Sequence, residues 1–356
     1  MNRLLATAVQ TRLQQQLDRW QLFAPCAGVN VTLLDSEQGC WTGAAGYAEV
    51  DERIPMPAAA SCYIYSIGKT FTAIRILQLV ALGLVELDRS ISHYLSKVAL
   101  PDKVTIRRLL NHSSGVPNYT DLPDYLPANL AQPGVPWTDD MVLAKTCTGK
   151  LDFEPGHGWH YSNTGYMLLK HLIETVSGKP YASNIEAHII QPLQLGQTRV
   201  TTRIDDGQLT PGYCAYLNDQ QIMEDIRFRY HPDWCLTGLL ASTTDDIARL
   251  YQALFHSDFL SAASRQAMTD AVNCNLAAHP YFVQPAYGLG LMADRQHPDG
   301  PIYGHGGDGP GFNTWAMHLP AWHGRAVTVV IFCNTSMGSH PFMLCKKLLN
   351  ILQTAD

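Results

Sequence analysis

The sequence predicts an α+β fold: an antiparallel sheet built from both chain termini, flanked by helices, with a mostly helical lobe inserted between them. Three observations carry this. Strand-like alternation is confined to about the first 60 residues and to the stretch from Tyr287 onward. From about residue 86 to 280 the apolar spacing is helical, with long loops. There is no internal repeat or low-complexity tract. The expected organisation is one unit over residues 1–356, with a sheet lobe of approximately 1–62 and 284–356 and a helical lobe of approximately 63–283.

Leu5, Val9, Leu13, Leu17 and Trp20 are spaced as one face of an amphipathic helix. Val29, Val31 and Leu33 alternate with Asn30, Thr32 and Leu34, and Ser36-Glu37-Gln38-Gly39 turns the chain into Cys40-Trp41-Thr42-Gly43, which reads as a hairpin. Residues 48–60 form a Pro-containing connection. Phe71 to Leu82 is a nearly continuous apolar run stopped by Gly83, too long for a strand, hence a helix buried on most sides. A short helical pattern over Val104 to Leu110 breaks at Asn111-His112-Ser113-Ser114-Gly115-Val116-Pro117.

The Pro-rich stretch Asp121 to Trp137 is long enough for a lid or pocket wall. A second long helix follows Tyr161-Ser162-Asn163 and ends at Gly178. Ser242 to Asp246 caps a third, Ile247 to Phe255, with acids in its first turn. Strand patterns then occupy Tyr287 to Met292, Ile302 to His305, Phe312 to His318 and Arg325 to Phe332, and Phe342 to Leu352 closes the chain as a helix.

With 356 residues, 46% hydrophobic and 16% charged, the chain can bury a large core. A net charge of -6 with no Lys/Arg cluster supplies no face for nucleic acid. The N-terminal apolar stretch, Leu4 to Val9, is too short and too soon polar for a signal peptide, and no stretch is long enough to span a bilayer. The nine cysteines include no C-x-x-C pair and are odd in number, which argues for buried free thiols in a reducing compartment. The expected location is therefore cytoplasmic, or periplasmic or secreted if a signal peptide has been removed. Composition is silent on oligomeric state.

Ser66-Ile67-Gly68-Lys69 opens the buried helix. A hydroxyl there meets unpaired backbone N–H groups and the positive end of the helix dipole, with an amine one turn away on the same face. An S-x-x-K alone is a chance event in a chain of this length. Nucleophilic serine chemistry also needs a base, oxyanion donors and a wall closing the far side. Candidates are Tyr161-Ser162-Asn163, just before a helix, and His305-Gly306-Gly307, on a strand.

Several other patterns are decoys. Tyr216-Leu217-Asn218 also reads Y-x-N but lacks the Pro-Gly approach and the following helix. Gly304-His305-Gly306-Gly307-Asp308-Gly309 fits G-x-G-x-x-G, yet no helix follows and no acidic residue lies between Asp308 and Asp356 to hold a ribose. No G-x-S-x-G is present. His157 and His160 are spaced like metal ligands, but no carboxylate or Cys companion is visible nearby, so neither a metal nor a cofactor is expected. Arg227 and Arg229 read as a solvated pair.

Taken together, S-x-x-K, Y-x-N and H-x-G, in that order, resemble the motifs of the serine β-lactamase and penicillin-binding-protein family. The similarity is to its class C-like branch of D,D-carboxypeptidases and esterases, and it extends over about residues 24–353 through Asn111 to Gly115, Glu154-Pro155-Gly156, Tyr161 to Tyr166 and Gly304 to Phe312. The resemblance implies a β-lactamase/transpeptidase-like fold and an acyl-enzyme on Ser66, with Lys69 and Tyr161 as a coupled base system. It implies that Asn163 holds Lys69 or the substrate amide, that His305, Gly306 and Gly307 face the substrate, and that the backbone N–H groups of Ser66 and Asp308 form the oxyanion hole.

Tyr119, on the loop after Gly115, is a further candidate for the pocket. His305 stands where β-lactamases of this branch carry Lys, and imidazole is mostly neutral at neutral pH. The expected substrate is therefore a small ester or amide, with weak β-lactamase activity at most and acyl transfer to an acceptor other than water as a further route. The alternatives are a D,D-carboxypeptidase or D-aminopeptidase, and a catalytically silent binding protein.

Overall fold

Strand-like alternation at the two ends of the chain becomes one antiparallel sheet of nine strands. In chain order these are β1 Gly28–Asp35, β2 Gly39–Glu49, β3 Ile54–Pro55, β4 Val272–Asn273, β5 Ala286–Tyr287, β6 Met292–Asp294, β7 Ile302–Gly309, β8 Phe312–Trp322 and β9 Arg325–Cys333. Their order across the sheet is β3-β2-β1-β9-β8-β7-β6-β5-β4, so the N-terminal hairpin joins the C-terminal meander through β1 and β9, with Val29 opposite Cys333 and Val31 opposite Ile331. The computed structural model describes residues 3–354 except 205, 206, 219, 277, 278, 280 and 337. Residues 1, 2, 355 and 356, the ends of the expected sheet lobe, lie outside the described residues.

All eight residues of β1 are buried because helices cover the strand on both faces. Val29, Val31 and Leu33 pack beneath α1 (Thr7–Phe23) and the closing helix Pro341–Gln353. The intervening polar residues Asn30 and Thr32 face the helical lobe, where burial demands hydrogen-bond partners. The Asn30 amide donates to the Ala58 carbonyl, and the Thr32 hydroxyl lies 2.9 Å from that of Thr244, in the first turn of helix Thr244–His256. Polar alternation thus marks a second interface here rather than a solvent face.

The connection from the sheet to Ser66 is pinned by a small sheet in which Cys62–Tyr63 pairs with Leu239–Ser242, itself paired with Arg199–Thr201. A 3-10 turn, Tyr65–Ile67, then leads into α2 (Gly68–Ala81), so Ser66 stands on the turn just ahead of the helix. Eleven of the fourteen α2 residues are buried, in keeping with the nearly continuous apolar run. Helix α3 (Asn163–Ser177) packs on it, begun by the Ser162 hydroxyl accepting the Gly165 N–H and ended by Gly178 at φ 66°. The positive φ is one that glycine adopts without steric cost.

Two sequence expectations change in detail. The run from Tyr287 to Met292 is not one strand: β5 ends at Tyr287, the chain turns through Gly288 to Leu291, and β6 begins at Met292. A side chain at Gly290 (φ +73°) would sit 2.5 Å from the Ala73 Cβ and 2.8 Å from the Lys69 carbonyl, so this turn is pressed onto α2 beside Lys69. The sheet also reaches back to Val272, ahead of the expected boundary near 284, because the two-residue β4, too short to show alternation, pairs with β5. Among the described residues no helix is long and apolar enough to cross a membrane, and all nine cysteines are free thiols.

Candidate active site

A cleft of about 620 Å³ opens between the sheet and the helical lobe, and every site residue expected from the sequence lines it: Ser66, Lys69, Tyr119, Tyr161, Asn163, His305, Gly306, Gly307 and Asp308. Ser66 follows a residue in a strained backbone conformation. Tyr65 has φ 44°, a left-handed conformation disfavoured for an aromatic residue, and its hydroxyl donates to the Pro310 carbonyl at 2.5 Å.

Strand β7 closes the opposite wall. Its His305, Gly307 and Gly309 alternate onto the face that meets the Ser66 turn. A Cβ at Gly307 would lie 2.2 Å from the Ile64 carbonyl oxygen, and one at Gly309 would lie 2.3 Å from the Tyr65 ring. Only glycine lets the strand come this near, which brings the backbone of residues 306–308 alongside Ser66.

The amine of Lys69 lies 3.1 Å from Ser66 Oγ and donates to Asn163 Oδ1 at 2.7 Å. Asn163 is held in turn, its backbone N–H donating to Asn118 Oδ1 and its amide to the Thr120 hydroxyl. Lys69 is 2% exposed, and burial, opposed weakly by the Cys235 thiol, pushes its pKa down to about 7. The amine is therefore about half neutral at neutral pH and able to accept a proton.

Burial moves Tyr161 the other way, raising its phenol above the ordinary value, although the neighbouring Ser66 hydroxyl eases its ionisation. The Tyr161 oxygen is shielded from solvent and is near Ser66 without a hydrogen bond of good geometry. Its ring lies 4.7 Å from the Lys69 nitrogen. Desolvation thus favours a neutral amine beside a protonated phenol, a proton acceptor and a proton donor on either side of one hydroxyl.

His305 is fully buried, and burial followed by the Lys69 charge lowers its pKa to about 3. Its Nδ1 lies 2.5 Å from the Gly306 carbonyl and its Nε2 2.7 Å from the Tyr287 hydroxyl. The carbonyl can only accept, so Nδ1 carries the proton and Nε2 accepts from Tyr287. Both ring nitrogens are therefore engaged by the protein. Tyr119 is likewise committed: its hydroxyl donates to the Trp234 carbonyl, which makes it a wall of the cleft rather than a free donor.

The decoys resolve differently. Tyr216 does line the cleft, but Asn218 is turned away, bonded to the Ile222 carbonyl and Glu224. His160 does have carboxylate companions, contrary to the sequence reading: Asp121 and Asp152 each lie 3.1 Å from one of its ring nitrogens, brought there by loops distant in sequence or folded back on themselves. Among the described residues no group of three or more His, Cys, Asp or Glu is arranged to hold a metal. Arg227 and Arg229 are ion-paired with Asp225 and Glu224.

Two residues that line up behind the site were missed from sequence. Tyr287 looked like an ordinary strand aromatic, and His112 lay in what read as a connecting phrase. The signal for His112 was its place inside the Asn-His-Ser-Ser-Gly break, histidine being among the non-glycine residues enriched at positive φ.

Comparison with known proteins gives the following. A family model described as Beta-lactamase matches residues 21–348. A penicillin-binding protein of Bacillus subtilis (strain 168) is 31% identical over 302 residues, covering 80% of this chain; the match spans 64% of that protein's length. A D-stereospecific amidohydrolase from Streptomyces sp. superposes with a TM-score of 0.82 at 28% identity, covering 95% of this chain and 97% of the other. A D-amino acid amidase from Ochrobactrum anthropi SV3, solved with D-phenylalanine, superposes with a TM-score of 0.84 over 98% of this chain and 100% of that one, and at 24% identity it speaks for the fold alone.

Proposed function

The chain belongs to the beta-lactamase family of serine hydrolases, and from that premise we propose that it cleaves a small amide or ester lacking a free carboxylate, through an acyl-enzyme on Ser66. In this reading Ser66 Oγ attacks the carbonyl carbon as its proton passes to the Lys69 amine. The backbone N–H groups of Ser66 and Asp308 hold the oxyanion. The proton then goes to the leaving group, from Lys69 directly or through the Tyr161 hydroxyl, and a water repeats the sequence to release the acid.

One observation carries the choice of substrate: His305 is neutral, with both nitrogens occupied, at the position facing Ser66. The next residue, Gly306, offers no hydroxyl, and the described lining of the cleft contains no lysine or arginine besides Lys69. Asp308 lines the same cleft and adds no cation to it. A substrate carboxylate would be desolvated there without a cation to meet it, which is costly.

Two aromatic groups, Tyr119 with Tyr125 and Trp315 with Phe342, flank the reacting centre and suit apolar substituents. The similarity to an amidohydrolase described as D-stereospecific supports an amide of a D-amino acid as a first substrate to try.

The test compares kcat/KM for D-phenylalanine amide and a p-nitrophenyl ester with that for a D-Ala-D-Ala peptide and a chromogenic cephalosporin. The substrates without a carboxylate should be turned over at least about 100-fold faster, as expected when a site lacks the partner for a buried charge. A preference for the D-Ala-D-Ala peptide overturns the reading in favour of a carboxypeptidase. Persistence of turnover and of fluorophosphonate labelling in Ser66→Ala removes Ser66 as the nucleophile.

A further inference from the structure

His112 is 1% exposed and lies in no element, at φ 62°. A buried histidine in the left-handed region is a strained backbone, retained only where the surroundings over-determine it. What surrounds it is the segment that carries Tyr161. The His112 carbonyl accepts the His160 N–H at 3.1 Å, and its Nδ1 accepts the Ser162 N–H at 3.1 Å. Between these two attachments the imidazole packs on the Tyr161 ring, centroids 4.2 Å apart and planes tilted by 38°. The rings of Tyr166 and Tyr287 lie 5.2 and 4.6 Å away.

An Nδ1 that accepts leaves the proton of the neutral ring on Nε2. That Nε2 is buried and has no hydrogen-bond partner. The residue thus bears backbone strain and an unsatisfied donor together, two costs that an apolar side chain in a more open conformation would avoid. What only a histidine here supplies is an acceptor and a flat ring in one rigid unit, fitted to both neighbours of Tyr161 and to its face.

We propose that His112 is the positioning residue for Tyr161, gripping the chain on both sides of the phenol so that its hydroxyl is fixed beside Ser66. Because Ser162 caps α3 and Asn163 begins it, the same grip also sets the Asn163 amide against Lys69. His112 touches no substrate in this arrangement; it acts through Tyr161. The inference rests on the reading of Ser66 and Tyr161 as working residues, and the experiment separates the two.

The test measures kcat and KM for the p-nitrophenyl ester at pH 8, per site titrated by the acylation burst, in His112→Asn, His112→Phe, Tyr161→Phe and Ser66→Ala. Asn keeps an acceptor where Nδ1 stood and tolerates the left-handed backbone, while Phe keeps the ring and loses the acceptor. The expected result is a kcat down roughly 100-fold in His112→Phe, the scale of a misplacement near 1 Å, with KM changed less than about twofold. His112→Asn should keep kcat within about fivefold of the parent and keep the acid limb of its pH profile.

A kcat per titrated site within twofold of the parent in His112→Phe overturns the proposal. So does a folded His112→Asn as impaired as Tyr161→Phe, a comparison that stands even if the Phe variant does not fold. Activity in Ser66→Ala instead defeats the underlying reading.

Discussion

The Tyr287 hydroxyl and His305 Nε2 are 2.7 Å apart, a buried hydrogen bond that consumes the ring nitrogen not already spent on the Gly306 carbonyl. The pair turns a titratable side chain into a fixed neutral one. Replacing it with a permanent cation should therefore change what the cleft accepts. His305→Lys is expected to raise kcat/KM for the chromogenic cephalosporin, relative to the neutral ester, by roughly 10- to 100-fold, the worth of one charge-assisted hydrogen bond of about 1.5–3 kcal/mol. Steady-state kinetics on both substrates checks this, and an unchanged ratio would mean that the carboxylate lies elsewhere.

Lys69 is stable only at a cost. Its pKa of about 7 in the folded protein is well below the ordinary lysine value, so the unfolded chain binds more protons between about pH 7 and 10.5. Stability conferred by this group thus rises with pH across that window and is lowest below it. Lys69→Met should abolish turnover and stabilise the fold most at pH 6, with a gain of about 1–4 kcal/mol that shrinks toward pH 10. Urea denaturation at three pH values measures it. The parent's kcat should show an acid limb with an apparent pKa near 7, since only the neutral amine can take the Ser66 proton.

Gly307 sets the distance between β7 and the Ser66 turn. A Cβ there would meet the Ile64 carbonyl oxygen at 2.2 Å and the Thr314 hydroxyl oxygen at 2.5 Å, and the Ile64 backbone leaves little room to relax. Gly307→Ala is expected to lower stability by about 1–3 kcal/mol and kcat by at least tenfold, because the strand must retreat from Ser66. Thermal melting and ester turnover check the two effects separately. Gly178→Ala provides the contrast: nothing lies within 4 Å of its added Cβ, so strain at φ 66° should cost stability without affecting kcat.

Much of this arrangement could be read from the sequence, and the parts that could not share a physical cause. The sheet built from both termini was legible because strand-like patterns stand at the two ends of the chain and the α2 run is apolar on most sides, whereas the β-lactamase/transpeptidase likeness came from the motifs and not from periodicity. Ser66, Lys69, Tyr161, Asn163 and His305 were legible because they lie in short phrases whose spacing reflects local geometry. The partners of those residues were not. Tyr287 reaches His305 from across the sheet, His112 reaches Ser162 from 50 residues away, and Asp121 reaches His160 from a 3-10 turn far earlier in the chain. No spacing encodes such contacts; they exist only once packing has been decided. The direction in which Lys69 and Tyr161 shift was hidden for the same reason, since desolvation depends on what covers a group and not on its neighbours in the chain.

A third buried histidine, far from Ser66 in the sequence, contributes to how the fold responds to acid. His318 on β8 lies with its Nε2 3.0 Å from that of His256 and its Nδ1 2.9 Å from the Thr328 hydroxyl, its ring stacked on Phe255 at 4.4 Å. Burial, then the His256 charge, hold its pKa down to about 3, and burial lowers His256 as well. A depressed folded value means that the unfolded chain takes up protons first. The stability tied to the neutral ring is complete above about pH 6.5 and is lost as the pH falls toward 3. His112 and His305 are depressed in the same direction and add to the slope. His318→Gln keeps a partner for Thr328 but cannot titrate. It should reduce the dependence of unfolding free energy on pH between about 6 and 4 by one proton, about 1.4 kcal/mol per pH unit, while leaving the slope contributed by the other two histidines. Urea midpoints from pH 4 to 8 give the slope directly. An unchanged slope would show that the His256 and His318 pair is already protonated, and its rings repelling, within the folded protein.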